Sequence, residues 1–400
     1  MAKGRFPPLS HQPLRRVRLQ RVTLRTVVGR VVINAAYGQD RQTGDWISPI
    51  RELWGLWPHL GMSPALEEKV CYTAAMTFSY EHAAAVAAKW GSPVDDAAIH
   101  RHVQVRGMKA LALEEERVER ALSVDGRAEV VAEAKRHLPR GEFSLVIMMD
   151  GTMLRERGPD WGLKPAETAA HRVAWHELKG AIVYRLSQRA ESQSGRGMIL
   201  EKYCVAYRGE PFEFGQRVYA EALRRGLNQA KKVYVVADGA VWIWNIVADR
   251  FPQAQGGLDF YHASEHLWAV AHDQFGENTP QTRAWIEPLL HQLKHGGEFG
   301  VLQTLEDFCE VCAEGQEPAH PATQREIAYF RQHRDHLHYD QLRAEGCPIG
   351  SGAMESTCSQ FQDRFKRTGQ IWSLSGEQCL MALDIARRNN DWDEIWAVDT

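Results

Sequence analysis

Phe143-Ser144-Leu145-Val146-Ile147-Met148-Met149-Asp150-Gly151-Thr152 is a nearly continuous apolar run of strand length, closed by Asp-Gly. Apolar residues at successive positions fit a strand buried on both faces. Lys232-Val233-Tyr234-Val235-Val236-Ala237-Asp238-Gly239 repeats both the pattern and the ending. Between the two runs, 177–186 and 201–207 read as strands and 214–227 as a helix. Val241 to Arg250 reads as a helix, and 257–262 as a short last strand. The order β-β-β-α-β-α-β predicts an α/β fold around a mixed sheet. An Asp at the carboxyl end of a buried strand points into the crevice where open α/β sheets bind ligands. Gly151 and Gly239 are expected to turn the backbone away there. If the first and fourth strands are neighbours, Asp150 and Asp238 lie side by side.

A third carboxylate starts a later helix. Pro348-Ile349-Gly350-Ser351-Gly352-Ala353-Met354-Glu355-Ser356 reads as a glycine-rich turn feeding a helix that runs on towards Gln370. Ser351 is the expected N-cap. Met354, Cys358, Phe361 and Phe365 share an apolar, packed face, and Glu355, Ser359, Gln362 and Lys366 form the polar stripe beside it. Glu355 is therefore in the first turn, where the helix dipole favours an ionised carboxylate. Three carboxylates in one place repel each other unless a cation lies between them, and Mg²⁺ takes oxygen ligands of this kind. Two such ions would activate a water or a 3′-hydroxyl for in-line phosphoryl displacement.

The remaining composition narrows the class. The chain has 400 residues, 44% hydrophobic and 25% charged, which suits two or three globular domains. Its apolar runs are far shorter than a membrane span, and its first residues hold no run of signal-peptide type. Seven scattered cysteines argue against a disulfide framework and for a reducing cytosol. Cys309 and Cys312 form a lone CxxC, read as buried thiols. Net charge is −3, yet residues 1–39 carry Lys3, Arg5, Arg15, Arg16, Arg18, Arg21, Arg25 and Arg30 with no acid. A basic arm on an otherwise acidic chain is what phosphate contacts need.

Residues 14–35 alternate basic and apolar and predict a β-hairpin with one basic face. A helix is expected from Ser63-Pro64 to about Phe78, a second from Ser79 to Lys89, and a third from Asp95 to Val105. The three predict a helix-turn-helix, with His100, Arg101 and Gln104 exposed towards DNA. A charged helical connector follows over 108–138. Residues 263–345 read as an α-helical insertion. The expected domains are a basic arm and hairpin over 1–62, a helix-turn-helix region and connector over 63–140, and a catalytic domain over 141–400.

Several blocks resemble the ISKra-type family of bacterial insertion-sequence transposases, which are DDE enzymes with a ribonuclease H-like core. They are Met149-Asp150-Gly151-Thr152, Ala237-Asp238-Gly239-Ala240 with Trp242-Ile243-Trp244-Asn245, Leu258-Asp259-Phe260-Tyr261-His262-Ala263-Ser264-Glu265-His266, and Pro348–Gln370 with Ile371-Trp372-Ser373. The resemblance covers residues 143–395 well and the N-terminal third loosely. It implies that Asp150, Asp238 and Glu355 are the catalytic triad, binding two Mg²⁺ ions that Mn²⁺ replaces. It implies His262 near the scissile phosphate. The 117 residues from Asp238 to Glu355 fit a core interrupted by a helical insertion. DNA is the implied partner, both element ends and target, bound by a homo-oligomer in the bacterial cytoplasm at the nucleoid. Gln362, Arg364, Lys366 and Arg367 would join Arg15, Arg16, Arg18 and Arg21 in holding DNA. One departure concerns zinc. Relatives often carry a cysteine pair after the hairpin, whereas Ala35-Ala36-Tyr37-Gly38-Gln39-Asp40 has none. Two other readings share these residues: a cellular ribonuclease H-like nuclease or resolvase, and a non-catalytic DNA-binding remnant of a transposase.

Overall fold

The computed structural model describes residues 14–50, 61–162, 171–193, 197–314 and 321–397, without the side chains of 308–314. Lys3 and Arg5 of the basic arm lie outside the described residues. The chain forms two compact units, one of 1–113, 159–161 and 363–400, the other of 114–158 and 162–362.

The first unit begins with β1 (Arg15–Thr26) and β2 (Gly29–Gln39), an antiparallel hairpin, with β3 (Trp46–Ile47) along β2. Val22, Leu24 and Ala35 form its small core. The arginines do not share one face, contrary to expectation. A bulge shifts the register between Arg15 and Arg18, and Arg18 and Arg21 differ in strand parity, so they project to opposite sides.

Three helices follow: α1 (Pro64–Met76), α2 (Tyr80–Lys89) and α3 (Asp96–Leu122). Ser63 caps α1 and Ser79 caps α2, each accepting an amide of the first turn. Gly91, at φ +79°, makes the turn after α2. The third helix does not stop near Val105 but runs to Leu122. Gly107 breaks nothing, because its lack of a Cβ admits Cys379 of a later helix: a Cβ would lie 2.4 Å from that of Cys379. Helix α4 (Val124–His137) completes the connector, capped by Ser123.

The second unit is built on a five-stranded sheet. Its strands are β4 (Ser144–Arg157), β5 (Val173–Arg185), β8 (Tyr203–Tyr207), β9 (Lys232–Ala237) and β10 (Gln255–Leu258). Two further short strands, β6 (Arg189–Glu191) and β7 (Gly197–Ile199), pair with each other. Across the sheet the order is β10-β9-β4-β5-β8. The β4–β5 and β5–β8 pairs are antiparallel, and β4–β9 and β9–β10 are parallel. Leu145, Ile147 and Met149 of β4 pack on one side against α5 (Pro211–Arg224) and α6 (Val241–Arg250).

Two expected strand boundaries move. Strand β4 does not end at Asp150. Beyond it Thr152, Leu154 and Glu156 are buried in alternation, and pairing with β5 continues to Arg157↔Val173. Gly151 therefore makes no turn; a Cβ there would lie 2.3 Å from Glu177 Oε1. The last strand stops at Leu258, and residues 260–262 begin a helix because the Asp259 carboxylate accepts the amides of Tyr261 and His262.

From there α7 (Phe260–Phe275), α8 (Pro280–Gly296), α9 (Phe299–Glu314), α10 (Pro321–Gln332) and α11 (Tyr339–Ala344) follow, with no strand among the described residues of this segment. Cys309 and Cys312 fall in α9, their side chains outside those described. Helices α12 (Gly352–Phe365), α13 (Leu374–Arg388) and α14 (Trp392–Trp396) close the chain. No described helix is long and apolar enough to cross a membrane.

Candidate active site

The parallel pairing of β4 with β9 ends at Met149↔Ala237. Asp150 and Asp238 are the next residues on adjacent strands, so the two carboxylates emerge side by side. Side chains alternate along β4, so Asp150 shares the face of Val146 and Met148, opposite the α5–α6 core. Helix α12 packs on this face: a Cβ on Gly180 would lie 2.7 Å from Met354 Cε and 3.5 Å from Phe361. Both groups belong to the apolar stripe read from the sequence.

That packing leaves Glu355 exposed on the helix surface, near enough for its charge to act on Asp150. Burial raises the Asp150 pKa most, and the charges of Asp238 and Glu355 raise it further. Its own neighbour Gly151 donates an amide at 2.6 Å, and the Cys358 thiol donates a second hydrogen bond, both opposing the rise. The thiol is held protonated by burial and by this carboxylate. In the sequence Cys358 belongs only to the apolar face; its place one turn after Glu355 is the signal for this second role. Gln362, another turn on, donates to Thr152 at 2.6 Å, fixing α12 to β4 just past Asp150.

A second set of bonds fixes the start of α12. Asp259, fully buried, gives its amide to the Ala237 carbonyl at 2.7 Å. Its Oδ1 caps α7, and its Oδ2 accepts both the amide and the hydroxyl of Ser351. Contrary to the expected N-cap, the Ser351 hydroxyl donates to Asp259, and it is the Ser351 carbonyl that accepts from Met354 and Glu355. The residue before Asp238 is in this way tied to the residue before the Glu355 helix.

Around Asp238 lies a group of rings that the sequence did not announce. The Asp238 carbonyl accepts from Trp244 Nε1 at 2.8 Å, and its Oδ1 from the Ala240 amide. Tyr329 lies over Gly239, where a Cβ would meet its hydroxyl at 2.3 Å. His266 stacks on Tyr329 at 3.7 Å and is bonded to Glu326, and His336 stacks on Trp244 at 3.7 Å. Burial and His266 lower the His333 pKa, opposed by Asp238 and the Gly239 carbonyl.

The other expected site residues are dispersed. His262 is in the first turn of α7, not at a strand end, with Nδ1 3.6 Å from Glu265 Oε2. Arg15, Arg16, Arg18 and Arg21 are exposed, with Arg18 over the Tyr37 ring at 5.2 Å. His100 and Arg101 are exposed on α3. His100 meets Tyr80 edge to face, and Gln104 is half-buried beside Ser375. Arg364 is buried: it donates to the carbonyls of Ala74 and Phe78 and lies 5.5 Å from the Tyr80 ring centre. Its desolvation lowers its pKa to about 10. It is unavailable to a phosphate. Arg367 is exposed over Phe78, its guanidinium 3.6 Å from the ring centre. Lys366 follows the last residue of α12, so it does not extend the Glu355 stripe. Gly369, at φ +81°, makes the turn beyond it.

Among the described residues no three His, Cys, Asp or Glu side chains converge closely enough to hold a metal ion. The chemistry of Asp150, Asp238 and Glu355 nevertheless suits a hard cation. All are carboxylate oxygens, and Asp150 bears the repulsion of the other two.

Residues 219–396 match an uncharacterised protein family (UPF0236). No curated protein matches the chain. Among solved structures, the Drosophila P element transposase strand transfer complex is similar over 82% of this chain and 79% of that chain. The identity is 10% and the TM-score 0.24, a likeness too low to carry an argument.

Proposed function

We propose that this chain is a DDE transposase of the ISKra type, cutting and joining the DNA ends of an insertion sequence through a ribonuclease H-like core. The observation that carries this reading is the meeting of Asp150 and Asp238 on adjacent parallel strands, with the charge of Glu355 acting on Asp150. The strand order supports it. The first three strands form an antiparallel meander, and the fourth and fifth add in parallel beside the first, leaving both aspartates at one edge of the β4–β9 pairing.

In this reading Asp150, Asp238 and Glu355 would hold divalent ions, Mg²⁺ or Mn²⁺, which would supply Lewis-acid chemistry at the phosphate. The chain's own residues supply position. Cys358 orients the Asp150 carboxylate, Asp259 holds the start of α12, and Gln362 holds its middle. Exposed Arg15, Arg16, Arg18, Arg21, His100, Arg101 and Arg367 supply the surface for DNA, as a homo-oligomer assembled on it. His262 contacts the scissile phosphate from the first turn of α7.

A second reading has an observation of its own. Arg15, Arg16, Arg18 and Arg21 are exposed on the hairpin, a surface that a DNA-binding protein without chemistry would equally use. A strand-transfer assay on DNA carrying candidate element ends separates the readings. Joined products that disappear in Asp150→Asn support the transposase, cleavage without joining the nuclease, and binding alone the remnant.

A further inference from the structure

The first turn of α12 borders a cavity of about 760 Å³ in the second unit, floored by Met148 and Tyr184 of the sheet. That volume suits a small organic ligand. Its walls include Arg189, Lys202, Tyr261 and Ser356. Two cations line it, and no Asp or Glu does so among the described residues, although the whole chain carries net charge −3.

The anion-binding features are local and specific. Gly352 and Ala353 present first-turn amides, which have no acceptor within the helix. A Cβ on Gly352 would meet nothing within 4 Å, so the backbone is open to approach. The dipole of this 14-residue helix adds positive potential there. Lys202 Nζ donates at 2.6 Å to Thr357 Oγ1 in the next turn, and Thr357 in turn donates to the Ala353 carbonyl. Arg189 is held at the rim by the Gly346 carbonyl at 2.8 Å. In the floor, the Tyr184 hydroxyl is buried, with no hydrogen-bond partner among the described residues. Burial raises its pKa, so it remains a donor. An unpartnered buried hydroxyl at the base of a cationic cavity is costly unless a ligand or water satisfies it.

The apolar features are equally placed. Tyr261 is 65% exposed, and its ring packs on Gly350, where a Cβ would lie 2.9 Å away. A flat exposed ring held by a glycine is a stacking platform for a nucleobase. Met198, 46% exposed, and Ile349 supply further apolar wall.

We infer that this cavity binds a nucleotide, its phosphate at the α12 amides with Lys202 and Arg189 and its base against Tyr261. The same chemistry is offered by a free mononucleotide and by a terminal or unpaired nucleotide of a DNA strand. The site shares α12 with Glu355 but does not depend on the phosphoryl-transfer reading.

Titration calorimetry of the full chain with dAMP, adenosine, inorganic phosphate and a 5′-phosphorylated single-stranded oligonucleotide tests it. The expected result is binding of dAMP, of the oligonucleotide, or of both, at least tenfold tighter than adenosine or phosphate. Binding of dAMP identifies a free nucleotide, and binding of the oligonucleotide alone identifies a DNA strand. Lys202→Ala should weaken the bound species at least tenfold, and Tyr261→Ala should bring it towards inorganic phosphate. Gly352→Asp, which places a carboxylate in open space, should abolish binding while thermal unfolding stays unchanged. Adenosine or phosphate binding as tightly as the nucleotide would overturn the assignment. So would binding by folded Gly352→Asp, or no binding by wild type.

Discussion

One carboxylate oxygen, Asp259 Oδ2, accepts both the backbone amide and the hydroxyl of Ser351, a residue 92 positions later. The other oxygen caps α7, and the amide of the same residue is bound to Ala237. Asp259 is therefore the joint between the end of β9, the start of α7 and the start of α12. Replacing it with Ala leaves buried donors on Ser351 unsatisfied. Hydrogen bonds to charged groups are worth about 1.5–3 kcal/mol each. Asp259→Ala should lower unfolding stability by about 3 kcal/mol or more, and should increase amide exchange at 351–358 before it does so in β4. Wild-type stability from this variant in urea would remove the joint from the account.

In the first unit, Glu67 is buried with His102 Nδ1 at 2.9 Å and Arg106 Nη2 at 2.6 Å. Burial acts to raise its pKa, but the hydrogen bonds and charges of His102 and Arg106 prevail and lower it. A depressed carboxylate stabilises the fold above its unfolded pKa, and that contribution is lost as pH falls through the folded value. Glu67→Ala should destabilise by about 3–5 kcal/mol at neutral pH, because it removes the buried carboxylate that both His102 and Arg106 bond. The wild-type advantage should shrink on acidification below the ordinary glutamate value of 4.5. Parallel acid-unfolding curves for the two proteins would refute this.

How much of this was legible follows from where each signal lives. The aspartates were legible because a doubly buried strand is written as consecutive apolar residues, and its polar end stands out. The length of β4 was not. Past Asp150 its pattern is Gly-Thr-Met-Leu-Arg-Glu-Arg, and the burial of Thr152 and Glu156 depends on partners far along the chain. The α12 stripe was legible by helical period, whereas its joint with Asp259 is a contact across 92 positions that no local pattern encodes. Arg364 misled for a physical reason. A guanidinium near a helix end ordinarily reaches solvent, but here two carbonyls and three rings, Tyr80, Phe365 and Trp372, replace the water. Tyr329 and His333 had no signal at all, because they reach Gly239 from a segment that reads only as helix.

Arg364 and Arg101 should therefore fail differently. Arg364→Ala removes buried packing and takes its donor from the Ala74 carbonyl, while Gln370 Nε2 still donates to that of Phe78, so it should cost about 2–4 kcal/mol of stability. Arg101→Ala, at an exposed position, should leave stability within about 0.5 kcal/mol. In DNA binding, Arg101→Ala should reduce the preference for element ends over random DNA. Changing Arg15, Arg16, Arg18 and Arg21 together to Ala should instead weaken binding to all sequences and flatten the dependence of log K on log[salt] by about one per arginine. An unchanged slope would make the hairpin arginines solubilising charge alone.

The last expectation concerns Cys358 and Asp150. Burial, Asp238 and Glu355 hold the Asp150 pKa up, and the Cys358 thiol works against them. A raised carboxyl pKa contributes stability that is full below the unfolded value and is lost as pH rises through the folded one. Asp150→Asn removes the charge that causes the loss. It should abolish DNA joining while making the protein more resistant to urea than wild type at pH 8, with the difference closing towards pH 4. The thiol can be tested separately. Cys358→Ala removes the donor, so Asp150 should take up its proton at higher pH, and the acid limb of the joining rate should move upward. Cys358→Ser retains a donor and should keep that limb near wild type. A role in packing alone predicts a different pattern: both variants lose stability in proportion to the volume removed, and neither moves the pH profile. Joining rates measured between pH 5 and 9 for the three proteins, beside their urea midpoints, decide the matter. A limb that stays fixed in Cys358→Ala would reduce the thiol to a filler of the α12–β4 contact.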